Sequence, residues 1–321
     1  MVIRAPRRST IALAAAATVA SSGSAYVGAR NLLHVQADQA RQVIPKSWDV
    51  PPRADGVYAP GGGACEKWHR GVPFDVHLMI FGDSTATGYG CTVSDEVPGV
   101  LIARGLAAQS GKRVRLSTKA IVGATSKGLS GQIDAMFVAG PPPDAAVVMI
   151  GANDVTALNG IGPSARRVGA AVRRLRGSGT VVVVGTCPDF GVITAIPQPL
   201  RLVARTIGLR LARAQAAAVR SAGGVPVPFS DLLAPEFRKS PERLFSDDMF
   251  HPSAVGYALA ASQLLPALCK QLGVWTTDSD VEPALQSRAG DDTLLARVNG
   301  VTRLWRRTTG VPAPIVATVT G

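Results

Sequence analysis

From residue 76 onward the chain alternates between short runs rich in Val and Ile, most of them almost wholly apolar, and longer segments of mixed character. The runs are VHLMIF (76–81), RVRLSTKAI (113–121), AAVVMIG (145–151), TVVVVGT (180–186) and VPVPF (225–229). Between them lie helical candidates at 97–109, 128–138, 164–176 and 200–220, and a last one runs from about 253 to 272. A strand with one solvated face alternates apolar and polar residues, so near-continuous runs predict strands covered on both faces, as in a parallel sheet. Strands alternating with helices of this length build β-α-β units. The pattern therefore predicts an α/β domain over residues 75–272, a three-layer α/β/α sandwich around a five-stranded parallel sheet. Ligands of such sheets bind beyond the carboxyl ends of the strands, so the residues after each strand are the ones to read.

The flanks have a different texture. Residues 1–25 carry Arg4, Arg7 and Arg8 ahead of the apolar run 11–20 and end in the small residues GSA, which predicts a signal peptide ending at Ala25, or an anchor continuing toward Leu33. Export, to the exterior or the cell envelope, is the expectation. Residues 26–74 are rich in Pro, Gly and Ala and read as an irregular extension. In the tail, 273–321, Leu294, Leu295, Val298, Val301, Leu304 and Trp305 share one helical face, with Arg297, Arg303, Arg306 and Arg307 away from it. That is the pattern of a basic amphipathic helix, with a packed helix as the plainer reading.

The chain has 321 residues and a formal charge of +12. Its arginines are scattered over the helical candidates without aromatic interleaving or a recognition motif, so nucleic acid is not the expected partner. An anionic membrane or cell-wall surface fits the charge better. The four cysteines, Cys65, Cys91, Cys187 and Cys269, form no C-x-x-C pair, which argues against zinc. In an exported chain Cys65 and Cys91, both in loops flanking the first strand, are the preferred disulfide pair, with four separate thiols as the alternative.

Chemistry-bearing residues gather where the strands end. The first strand closes in Gly82-Asp83-Ser84, IVGATSKG with Gly123 follows the second, and the third ends in Gly151-Ala152-Asn153-Asp154. SDDMFHPSAVG precedes the last helix and contains Asp248-x-x-His251. Ser84 alone could be a helix cap. Of the four histidines only His251 has a carboxylate three residues upstream and Pro-Ser opening a helix after it. Asp248 could orient that imidazole through Nδ1, leaving Nε2 to take a proton from Ser84, which is a poor nucleophile without a base. The backbone N–H groups of Ser84 and Gly123 and the Asn153 amide could then form an oxyanion hole. Asp83 and Asp154 are expected to fix loops rather than react, and Asp247 to cap one.

These four segments resemble the conserved blocks of the GDSL-type, or SGNH, serine hydrolases, in the family's order. Ser84 in FGDSTATG matches the nucleophile, Gly123 in VGATS the glycine, Asn153 in GAND the asparagine, and His251 and Asp248 in DDMFHPSAVGY the base and its aspartate. The resemblance covers roughly 75–272 and implies a flavodoxin-like SGNH-hydrolase fold and cleavage of carboxylic esters or thioesters without metal or cofactor. Thr85 replaces the leucine of the GDSL motif, so a lipase label does not transfer with it. P-loop, dinucleotide-binding and G-x-S-x-G signatures are all incomplete. The expected activity is a carboxylic ester hydrolase (EC 3.1.1 type) with an acyl-enzyme on Ser84 and a preference for short-chain acyl or acetyl esters. The substrate would be a small acyl ester, a lipid or an acetylated glycan. The alternatives are an envelope O-acyltransferase or polysaccharide deacetylase on the same triad, and a non-catalytic binding protein.

Overall fold

The computed structural model describes residues 27–40, 42 and 51–274. The predicted signal segment and basic tail helix lie outside them. One sheet of six strands has the order β1-β3-β2-β4-β5-β6. Its strands are β1 (Gly56–Tyr58), β2 (Val76–Gly82), β3 (Val114–Thr118), β4 (Ala145–Met149), β5 (Val181–Gly185) and β6 (Val225–Val227). The last five are parallel, in the positions their apolar runs predict, and β1 pairs antiparallel to β3. The helices are α1 (27–40), α2 (Ser84–Thr87), α3 (Pro98–Ser110), α4 (Leu129–Ala139), α5 (Ala152–Thr156), α6 (Ile161–Gly177) and α7 (Leu200–Ser221). They continue with α8 (Phe229–Leu232), α9 (Ala234–Lys239), α10 (Pro241–Leu244) and α11 (Ala254–Leu272).

Side chains of the central strands β2, β4 and β5 alternate between two cores, which is why their runs are almost wholly apolar, whereas β3 buries Val114 and Leu116 and leaves Arg115, Ser117 and Thr118 half-buried. Leu78, Ile80, Leu116 and Val147 pack with Val100, Ile102 and Leu106 of α3 and Tyr257, Leu264 and Leu268 of α11. Met79, Phe81, Val148 and Val184 pack with Ile133 and Met136 of α4 and with Val168, Val172 and Leu175 of α6. Among the described residues no helix is long and apolar enough to cross a membrane.

Two expectations need correction. The segment 26–74 is not irregular throughout: its described residues include helix α1 and strand β1, which joins the five parallel strands at the sheet edge. Val57 and Tyr58 are buried, and a three-residue strand among Pro and Gly is too short to show a period. In α1 the inward positions Leu33, Gln36, Ala37 and Ala40 keep helical spacing, but two alanines and a glutamine give that stripe little hydrophobic contrast. The second correction concerns the cysteines. All four are free thiols, with Cys91, Cys187 and Cys269 buried. Burial pushes Cys91 and Cys269 up to about 12, so both are inert as nucleophiles.

The strand order places a topological switch between β2 and β4, because the chain leaves β2 for a neighbour on one side and returns to β4 on the other. The crevice beyond their carboxyl ends is where such a sheet offers a site.

Candidate active site

Four loops meet at that crevice. The β2 strand ends on Gly82, whose φ of 138° and close approach to β4 admit only glycine: a Cβ there would sit 1.9 Å from the Met149 carbonyl oxygen. Gln132 of α4, itself buried, clamps the same residue. Its Oε1 accepts from Gly82 N–H at 2.9 Å and its Nε2 donates to Gly82 C=O at 2.8 Å. Asp83 then caps α2 by accepting from Thr85 N–H at 2.9 Å, which turns the chain so that Ser84 opens the helix. Burial pushes the Asp83 carboxyl up to about 6, against the opposing hydrogen bonds from Thr85 and Gly151.

The loop before α11 brings Asp248 and His251 to this serine. His251 Nε2 lies 3.1 Å from Ser84 Oγ, and His251 Nδ1 lies 2.6 Å from Asp248 Oδ2. The other carboxylate oxygen, Oδ1, accepts from Ser246 Oγ–H at 2.8 Å, Phe250 N–H at 2.9 Å and His251 N–H at 2.8 Å. Burial opposes the charge of Asp248, but the hydrogen bonds from the His251 ring and from the His251 and Phe250 N–H groups outweigh it and hold the pKa at about 2. The imidazole is packed between two rings: Tyr89 with centroids 4.4 Å apart and Phe250, edge-on, at 5.0 Å. A hydroxyl, an imidazole and an ionised carboxylate in this order can move a proton off the hydroxyl and hold the imidazolium that results.

Two further loops face Ser84. Gly123, at φ +77°, and Asn153, at the start of α5, line the same cavity as Ser84 and His251. Asn153 Nδ2 donates one hydrogen to Ala124 C=O at 3.0 Å, which fixes the amide against the Gly123 loop and leaves the second hydrogen for another acceptor. Asp154 locks the two loops together. It accepts from Ser126 N–H and Ser126 Oγ at 2.8 and 2.7 Å, from Ser164 Oγ at 2.9 Å and from Asn159 Nδ2 at 3.1 Å. Ser84, Gly123, Asn153, Asp248 and His251, separated by up to 167 positions, thus converge on one crevice.

The residues match a family model, the GDSL-like Lipase/Acylhydrolase family, over positions 80–259. The chain is also 74% identical over 263 residues to the GDSL-like esterase Rv1075c of Mycobacterium tuberculosis (strain ATCC 25618 / H37Rv), covering 82% of this chain and 84% of that protein. The chain belongs to the GDSL-like lipase/acylhydrolase family. As a GDSL-like esterase it is an ester hydrolase, and its sheet and helices form the α/β fold described above. Solved structures that resemble it include the psychrotrophic esterase EstA from Pseudoalteromonas sp. (19% identity, TM-score 0.49, covering 62% of this chain and 100% of that one). TesA is another, at 20% identity and TM-score 0.49 over 61% of this chain and 99% of its own. The family assignment rests on the two sequence matches rather than on these overlays.

Sequence reasoning passed over Gln132, Ser246 and the ring pair Tyr89 and Phe250. Gln132 left a signal: it is a polar residue set among Leu129, Ile133 and Met136, the buried positions of α4. Asp83 and Asp154 hold loops as expected, and Cys65 hydrogen-bonds to Ala54 C=O through its thiol. Among the described residues no cluster of three or more His, Cys, Asp or Glu side chains could hold a metal ion.

Proposed function

We propose that this GDSL-like esterase is exported and cleaves carboxylic esters through an acyl-enzyme on Ser84. The observation that carries the reading is the chain of contacts from Asp248 through His251 to Ser84 Oγ, at 2.6 and 3.1 Å, opening on a cavity. Ser84 Oγ attacks the ester carbonyl while His251 Nε2 takes its proton. The carbonyl oxygen becomes an oxyanion, held by the N–H groups of Ser84 and Gly123 and by the free hydrogen of the Asn153 amide. On collapse the C–O bond to the alcohol breaks and His251 returns the proton to the departing oxygen. Water then attacks the acyl-Ser84 carbonyl with His251 again as base, which releases the acid and restores the serine. Asp248 remains ionised throughout and holds the imidazole with Nδ1 protonated.

Export is supported by the arginine-led apolar segment ahead of residue 26, and the charge of +12 suits an anionic envelope surface. A short acyl or acetyl group is the acyl component expected from the sequence. It fills only part of a cavity of about 1310 Å³, so the other side of the ester has room to be large.

The test is labelling of the purified chain with a serine-directed fluorophosphonate, beside Ser84→Ala, with the adduct located by peptide mass. Modification of Ser84 that disappears in the variant is the expected result. A folded wild-type chain that takes no label would overturn the proposal, and a non-catalytic binding role would replace it.

A further inference from the structure

The cavity beyond Ser84 is larger than the roughly 300–1,000 Å³ of ordinary small-molecule pockets, and one of its walls comes from outside the matched family region. Helix α1 contributes Ala29, Leu33, Ala37 and Ala40, spaced four, four and three residues apart, so they form one stripe along the helix. The start of α7 contributes Leu200, Val203, Ala204 and Ile207, a second stripe at helical spacing on the same cavity. Val97, Val100 and Leu116 extend the lining from α3 and β3. Away from the loops that carry Ser84 and His251 the lining is mostly apolar, with Arg30, His34, Arg53, Asp55 and Thr118 among its polar and charged members.

What holds α1 over this space is a polar pin. Gln36, buried under the helix, donates through Nε2 to the Gln198 carbonyl oxygen and accepts at Oε1 from Leu200 N–H at 3.0 Å. Both groups belong to the chain entering α7, so one side chain fixes one aliphatic wall against the other. An amide that satisfies two buried backbone groups specifies position as well as contributing to stability.

We infer that α1, pinned by Gln36, is the specificity wall of the enzyme and selects esters carrying an extended, unbranched apolar arm. The inference rests on the esterase reading of Ser84. The same aliphatic wall accepts an alkyl chain from either side of the ester bond, and the two sources separate experimentally. One substrate series varies the acyl side, p-nitrophenyl acetate against p-nitrophenyl octanoate, and the other varies the alcohol side, ethyl acetate against octyl acetate. In the full chain, the octyl member of one series has the higher kcat/KM, and that series identifies the side on which the arm lies.

Gln36→Ala releases the wall. It lowers kcat/KM for the favoured octyl substrate by about tenfold, mainly through KM, which corresponds to losing the burial of one or two methylene groups. The short substrates fall by less than about threefold because they do not reach the wall. Ala37→Trp fills the cavity from the same helix and leaves the pin intact, so it gives the same selective loss if Gln36→Ala does not fold. A wild-type chain that favours neither octyl substrate, or variants that weaken long and short substrates equally, would overturn the inference. Hydrolysis of p-nitrophenyl acetate, lost in Ser84→Ala, checks the esterase reading separately.

Discussion

Replacing Asp248 by asparagine tests the proton relay without changing its shape. Three donors, Ser246 Oγ–H, Phe250 N–H and His251 N–H, converge on Asp248 Oδ1. In Asp248→Asn they force the amide oxygen into that position, because an NH₂ group would present hydrogens to three hydrogens. The NH₂ then takes the place of Oδ2 and points a hydrogen at His251 Nδ1. The imidazole responds by carrying its proton on Nε2, facing Ser84, where it can no longer act as a base. A wrong tautomer in an intact site costs about 10³–10⁴ in kcat, roughly 4–5.5 kcal/mol of transition-state stabilisation.

The same substitution has a stability signature. Asp248 has its folded pKa lowered from 3.8 to about 2, so its charge stabilises the folded chain fully above 3.8 and that contribution is lost as pH falls through about 2. For a partly solvated pair the screened contribution is about 1–2 kcal/mol, absent from the variant at neutral pH. The assay is the steady-state rate on p-nitrophenyl acetate, alongside circular dichroism and urea unfolding at pH 7. A folded Asp248→Asn chain that retains more than a tenth of wild-type kcat would refute the tautomer argument.

Three other substitutions separate the remaining parts of the site. Asn153→Ala removes an oxyanion donor and should lower kcat by about 10²–10³ while KM changes little; an unchanged kcat would reduce Asn153 to a residue that anchors Ala124. Asp154→Ala leaves three buried donors and one half-buried donor without their acceptor and should destabilise the chain by about 3 kcal/mol in urea unfolding, and a loss below about 0.5 kcal/mol would contradict its role in joining the two loops. Asp83 has its pKa raised to about 6, so wild-type stability should fall as pH rises from 4 through 6; in Asp83→Asn, whose carbonyl can still cap α2, that slope should disappear and stability at pH 7 should rise by about 2 kcal/mol.

How much of this was readable in advance depended on where each residue's partners lie. The five parallel strands and the long helices α3, α4, α6, α7 and α11 showed themselves because their burial pattern is written in consecutive residues. Strand β1 did not, since three residues carry no period and its pairing is with β3, some 60 positions away. Helix α1 was hidden for a related reason. Its inward face is Leu33, Gln36, Ala37 and Ala40, and the residue that fixes it is polar, so hydropathy alone gives it no inward direction.

The site shows the same division between the candidate reacting groups and the groups that hold them. Ser84, Gly123, Asn153, Asp248 and His251, which the structure brings together, were legible as candidates because each sits in a short segment of recognisable residue types beyond a strand or before a helix. Gln132 was not found, although it grips Gly82 at both backbone atoms, and neither was Gln215. Gln215 accepts from Cys187 N–H at 2.8 Å and donates to Ile150 C=O at 3.0 Å, joining the ends of β4 and β5. Each of these glutamines occupies a buried helical position that a leucine would fill equally well by volume. What leucine could not do is satisfy the backbone groups where a parallel sheet stops and its ladder hydrogen bonds run out. The carboxyl end of a doubly covered sheet combines buried, unladdered backbone with the crevice that binds ligand. Side-chain amides reaching in from α4 and α7 allow the strand ends to stay dry and still be fixed, and the loops that carry Ser84 and Asn153 start from those ends. A glutamine inside an aliphatic helical stripe, in a sequence with this β/α alternation, is therefore a signal for the strand end it will clamp.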